Sequence, residues 1–133
     1  MRAFRLVLAS HSFLAAGLRA SAEMIAGRLA DVAVVELEAG ASLEDYDTRL
    51  RAAIGQGRPV LVLCDLRGGT PHNRVGALNT GSPPLVCLTG VNLAMVLEAA
   101  LAQGDLTPDL VARVVKAGRS GISESARRPR QRG

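Results

Sequence analysis

VLVLCDLRGGTPHN, residues 60–73, is the stretch on which the reading of this chain turns. Five uninterrupted apolar residues, Val60 to Cys64, make a short buried strand bounded in front by Arg58-Pro59. Asp65 ends it. Leu66 to Asn73 is a loop by its glycines and proline, and it opens a helix near Pro71, where proline suits the first turn. A buried strand that passes through a glycine loop into a helix is one unit of an alternating α/β fold.

Working outward, the same alternation recurs on both sides. Residues 3–9 (AFRLVLA) read as a strand that stops at Ser10-His11-Ser12. Leu14, Leu18, Ala22, Ile25 and Leu29 follow at helical spacing, with Ser12 as the expected cap. Residues 31–37 read as a second strand. Ser42 caps a helix carrying Leu43, Tyr46, Leu50 and Ile54, which Gly55 and Gly57 end. The helix opened near Pro71 runs to Leu78. Residues 85–89 are a fourth strand, residues 93–102 a helix, and Thr107-Pro108 starts a last helix that ends around Gly118. The order is βαβαβαβαα, and the predicted class is a three-layer α/β sandwich with a parallel sheet. Right-handed crossovers favour the strand order 2-1-3-4.

Composition narrows the function. The 133 residues suit one domain, and 48% are hydrophobic. Aromatics are limited to Phe4, Phe13 and Tyr46, so a base-stacking surface for nucleic acid is not expected. Four of the 16 basic residues, Arg127, Arg128, Arg130 and Arg132, lie in the last seven positions, and the other 12 balance the 12 acidic ones. The net charge of +4 therefore belongs to a tail rather than to a face of the fold, and no nucleic-acid partner is expected. That tail is expected to be a disordered end. Cys64 and Cys87 sit in apolar runs and read as free buried thiols. Two scattered histidines and two cysteines do not make the ligand set of a zinc site, and none is expected. No stretch approaches the roughly 18 apolar residues of a membrane span, and the first residues lack a cleavage pattern, so the expected address is the cytoplasm.

In a 2-1-3-4 sheet the chain reverses direction between strands 1 and 3, and ligands bind outside the carboxyl ends there. His11 and Asp65 meet at that switch point. An imidazole is a competent nucleophile near neutral pH, and phosphorus is a suitable electrophile for it. Asp65 would accept a hydrogen bond from one ring nitrogen, fix the tautomer and stabilise the charge that grows on the ring. Backbone N–H groups of Gly68, Gly69 and Thr70 would cradle phosphoryl oxygens, with the Thr70 hydroxyl as a further donor. Ser12 is a further phosphoryl-binding candidate. The plainer reading of the same residues is a polar turn at His11 and an ordinary glycine turn at 68–69. His72 is either a second base or a surface residue one turn into a helix. There is no Walker A sequence, no GxGxxG after the first strand, and no G-x-S-x-G elbow for Ser10 or Ser12.

Four segments together carry a resemblance. LVLASHSFLAAGL (6–18), VLVLCDLRGGTPHN (60–73), VCLTGVNLAMVLEA (86–99) and the helix from Thr107 resemble, in order and spacing, the EIIA component of the mannose-type bacterial sugar phosphotransferase system, over residues 3–120. The resemblance implies a cytoplasmic phosphocarrier domain at 1–120, followed by an extension at 121–133. It implies a phosphotransferase in which His11 accepts a phosphoryl group from phospho-HPr and donates it to a histidine of EIIB. Asp65 then orients His11, and Thr70 is the hydroxyl of the loop. It implies no metal or organic cofactor, and contact with the membrane only through the transporter complex. It also implies a homodimer that exchanges an antiparallel edge strand; residues 120–123 (SGIS) are the place left for one.

Departures bear on partners. Ser12 stands where the family often has Gly, and Arg67 and His72 where it commonly has aromatics. A regulatory EIIA-like protein, whose phosphorylation state a partner reads, is one alternative. DhaM-like phosphocarriers share the Ser-His-Ser pattern but lack the GGTP and GVN segments.

Overall fold

The computed structural model describes residues 1–126 and 129. The chain forms β1 (Arg5–His11), α1 (Leu14–Ala26), β2 (Ala33–Leu37), α2 (Leu43–Ile54), β3 (Val60–Cys64), α3 (Thr70–Leu78), β4 (Leu85–Leu88), α4 (Leu93–Ala100) and α5 (Pro108–Ser120). All strand pairs are parallel and the order is β2-β1-β3-β4, as expected from the sequence. No described helix is long and apolar enough to cross a membrane.

The two central strands have side chains alternating between two apolar layers. Leu6, Leu8, Leu61 and Leu63 pack with Phe4, Ala22, Val96, Leu110 and Val114 on one side. Val7, Val62 and Cys64 pack with Tyr46, Leu50, Ile54 and Val75 on the other. Each fully buried Leu or Val contributes about 1.5–3 kcal/mol. A sheet clamped in this way holds the carboxyl ends of β1 and β3 side by side. A bidentate ion pair joins α2 to α3: Arg74 Nε donates to Asp47 Oδ1 at 2.8 Å and its Nη2 to Oδ2 at 2.6 Å. Cys64 and Cys87 are free thiols with their sulfurs 3.5 Å apart, on neighbouring strands.

Helix starts follow side-chain chemistry. Ser42 Oγ accepts from Asp45 N–H at 3.0 Å, Asn92 Oδ1 from Met95 N–H at 3.1 Å, and Thr107 Oγ1 from Leu110 N–H at 3.1 Å. The expected cap at Ser12 is corrected. Strand β1 runs to His11, which pairs with Leu37 of β2, so Ser12 falls in the turn and takes a left-handed backbone with φ 50°. The α1 N-terminus is served from the strand instead: buried Ser10 accepts from Ala15 N–H through Oγ at 2.8 Å.

The last helix runs slightly further than expected. Helix α5 continues past Gly118 to Ser120, and residues 121–123 form no strand. Among the described residues the sheet therefore ends at β4, with its outer edge open. Beside that edge an apolar cavity of about 440 Å³ is lined by Val86, Leu106, Thr107, Pro108, Val111 and Ala112. The arginine-rich end lies outside the described residues, apart from Pro129.

Candidate functional site

The sheet brings His11, the last residue of β1, against Asp65, the first residue after β3. One carboxylate oxygen holds the histidine twice. Asp65 Oδ2 accepts from the His11 backbone N–H at 2.9 Å and lies 2.8 Å from ring Nδ1. The other oxygen, Oδ1, accepts from Leu66 N–H at 2.9 Å. A carboxylate is an acceptor, so Nδ1 carries the proton and Nε2 carries the lone pair. The His11 side chain is 45% exposed and that of Asp65 only 11%, so the ring is reachable while its anchor is covered.

The electrostatics of Asp65 balance two effects. Burial alone would raise its carboxyl, but the hydrogen bonds from His11 N–H, the His11 ring and Leu66 N–H outweigh burial and hold it below the ordinary carboxylate range. It is an anion at neutral pH, and an anion there would stabilise positive charge on the ring.

Gly69 closes one side of the imidazole. A Cβ built there would stand 2.7 Å from His11 Cε1 and 3.4 Å from Nε2. The backbone at Gly69 is ordinary, with φ −72°, so glycine is needed for space and not for conformation. Gly68 differs: its φ of 78° lies in the left-handed region that favours glycine.

The Gly68 and Gly69 amides expected to cradle phosphoryl oxygens have partners within the loop. Gly68 N–H donates to His72 Nδ1 at 2.9 Å, and Gly69 N–H to Leu66 O at 3.1 Å. Both donors are used inside the loop, which gives it shape. Thr70, half-buried, is the first residue of α3, where N–H groups lack helical partners. Ser12, exposed, follows His11 directly, and its N–H donates to Leu37 O at 2.8 Å. Ser10 is committed to α1 and does not reach out as a nucleophile. His72 is half-buried and Arg67 exposed on the loop.

Two features were not read from the sequence. One is the contact of Gly69 with His11, which a glycine pair after a crevice aspartate hints at. The other is the bond of His72 to Gly68, for which a glycine four residues before a histidine at a helix start is too weak a signal. Among the described residues no three His, Cys, Asp or Glu side chains converge as a metal centre requires.

Comparison with known proteins bears on this site. Residues 5–115 match the EIIA-man family model, described as the PTS system fructose IIA component. The chain is 28% identical over 130 residues to the PTS system mannose-specific EIIAB component of Escherichia coli strain K12, an alignment covering 93% of this chain and 40% of that protein. The chain thus spans about two fifths of the length of the curated relatives it matches. Among solved structures, the mannose/sorbose specific IIA subunit from Enterococcus faecalis superposes with a TM-score of 0.84 at 35% identity, covering 96% of this chain and 98% of that one. The phosphotransferase system component EIIA from Streptococcus agalactiae gives 0.81 at 30% identity, covering 91% and 96%.

Proposed function

The chain belongs to the mannose-type EIIA family of sugar phosphotransferase systems, and from that premise we propose that it is a phosphocarrier in which His11 takes a phosphoryl group from phospho-HPr and passes it to a histidine of an EIIB component. The observation that supports this reading best is the bond between His11 Nδ1 and Asp65 Oδ2, because it leaves the Nε2 lone pair free to attack.

The chemistry is a symmetrical exchange of phosphorus–nitrogen bonds. The Nε2 lone pair of His11 attacks the phosphorus carried by the donor histidine. The donor P–N bond breaks and its electron pair returns to the donor imidazole. A new P–N bond forms on Nε2 while the proton stays on Nδ1, so the ring gains positive charge. The Asp65 anion, 2.8 Å away, stabilises that charge. Transfer onward to EIIB is the same step with the roles exchanged. Phosphoryl transfer needs little beyond positioning and charge stabilisation. Thr70, through its hydroxyl and the free donors of the first α3 turn, and Ser12, through its hydroxyl, are the groups assigned to phosphoryl oxygens. Gly68 and Gly69 act through loop shape.

This role places the protein in the cytoplasm and brings it to the membrane only through the transporter. The open edge of β4 and the apolar cavity beside it support a homodimer, in which a partner covers both.

The test is labelling. Purified protein incubated with phospho-HPr is expected to gain an acid-labile phosphoryl group, and His11→Ala to abolish it. Undiminished labelling of His11→Ala would remove His11 from the mechanism.

A further inference from the structure

Gly68 is held at both of its polar groups by consecutive side chains in the first turn of α3. Its N–H donates to His72 Nδ1 at 2.9 Å, and its carbonyl accepts from Asn73 Nδ2 at 3.1 Å. The residue between this clamp and the helix is Gly69, the point where the loop meets the His11 ring. The chain from Gly68 to Gly69 is one peptide unit, which is planar and stiff. The clamp on Gly68 therefore sets where the wall beside His11 Cε1 and Nε2 stands.

We propose that His72 is a positioning residue for phosphoryl transfer, acting as a hydrogen-bond acceptor that holds Gly68 and, through it, the wall against which His11 presents Nε2. The inference rests on the reading of His11 as the phosphoacceptor. His72 is neither a second nucleophile nor a base in this role, because its Nδ1 lone pair is committed to Gly68 N–H. Its proton lies on Nε2, so its tautomer is the opposite of that of His11. Two imidazoles flank the same glycine pair with opposite nitrogens protonated, one to react and one to hold.

The acceptor can be separated from the ring. In His72→Asn, Oδ1 is two bonds from Cβ, as Nδ1 is, and still accepts. In His72→Phe, the ring volume stays and the acceptor is lost. With phospho-HPr as donor, His72→Phe is expected to lower kcat for transfer about tenfold with little change in KM, and His72→Asn to restore most of it. Wild-type rates in His72→Phe, or equal losses in both variants, would overturn the proposal while leaving wild-type labelling intact. Failure of the wild type to be labelled would instead overturn the phosphoacceptor reading, and this inference with it. A second measurement needs no variant. Nitrogen NMR of the wild-type protein is expected to show His72 protonated on Nε2, with a coupling across the bond from Gly68 N–H to Nδ1. A His72 protonated on Nδ1 would overturn the proposal even if the variants fail to fold.

Discussion

Asp65 Oδ2 bridges the backbone N–H and the ring Nδ1 of His11, at 2.9 Å and 2.8 Å, so one oxygen fixes both where the histidine starts and how its ring is turned. The first bond ties the end of β1 to the end of β3. The second selects the tautomer. One carboxylate thus ties the end of β1 to the end of β3 and orients the ring, while the strand register rests on the backbone ladder, so removing the charge tests the orientation with the fold largely kept.

Asp65→Asn keeps an oxygen acceptor near the His11 backbone but loses the anion that stabilises a charged ring. Transfer from phospho-HPr is expected to slow on the order of 10²-fold, with the fold retained. Stopped-flow or quench-flow labelling checks this. A folded variant transferring at the wild-type rate would take Asp65 out of the mechanism.

The same residue makes a prediction about pH. The folded carboxyl is held below its ordinary value, so its contribution to stability is fully present above the unfolded pKa of about 3.9 and is lost as pH falls through the lower, folded value. The stability difference between wild type and Asp65→Asn that comes from this carboxyl is expected to shrink as pH drops below about 4. Urea titrations across pH measure it. A difference that grows as pH falls below 4 would contradict the assigned sign.

Gly69→Ala isolates the space beside the nucleophile. The backbone at Gly69 admits alanine, but its Cβ would stand 2.7 Å from His11 Cε1. The ring must shift, and a shift of about 1 Å is expected to cost on the order of 10²-fold in transfer. The thermal midpoint is expected to change little. Transfer at the wild-type rate would show that the ring has freedom which the structure does not suggest.

Ser12→Gly relieves the left-handed backbone beside the nucleophile. At φ 50° a non-glycine residue carries roughly 1 kcal/mol of steric cost, partly offset by the greater entropy glycine loses on folding. The variant is expected to gain up to about 1 kcal/mol in urea unfolding. It also removes the hydroxyl assigned to the phosphoryl group, so phosphorylated His11 is expected to hydrolyse or transfer at an altered rate. A destabilised variant would mean that Ser12 makes a compensating contact.

Much of the fold was legible because its signals are local. Val60–Cys64 and the run before His11 are short and apolar, the helices carry apolar residues at helical spacing, Ser42 marks the cap of α2, and Thr107-Pro108 marks the start of α5. The order 2-1-3-4 followed from crossover handedness, and with it the meeting of His11 and Asp65. What was not legible depends on three-dimensional closure. The polar residues Ser10 and His11 read as the end of the apolar run at Ala9, yet the ladder to β2 continues two residues further, through His11. That displaced Ser12 from the cap and put Ser10 in its place. No sequence pattern in the glycine loop says which amide bonds inward. His72 and Leu66 take the amides of Gly68 and Gly69, and only the folded loop shows it.

The central claim is that His11 Nε2 carries the phosphoryl group while Nδ1 keeps its proton against Asp65. Nitrogen and phosphorus NMR of the protein phosphorylated by phospho-HPr tests this most directly. The account predicts a P–N bond to Nε2 of His11, with the Nδ1 proton retained. A phosphoryl group on Nδ1 of His11, or on His72, would contradict it.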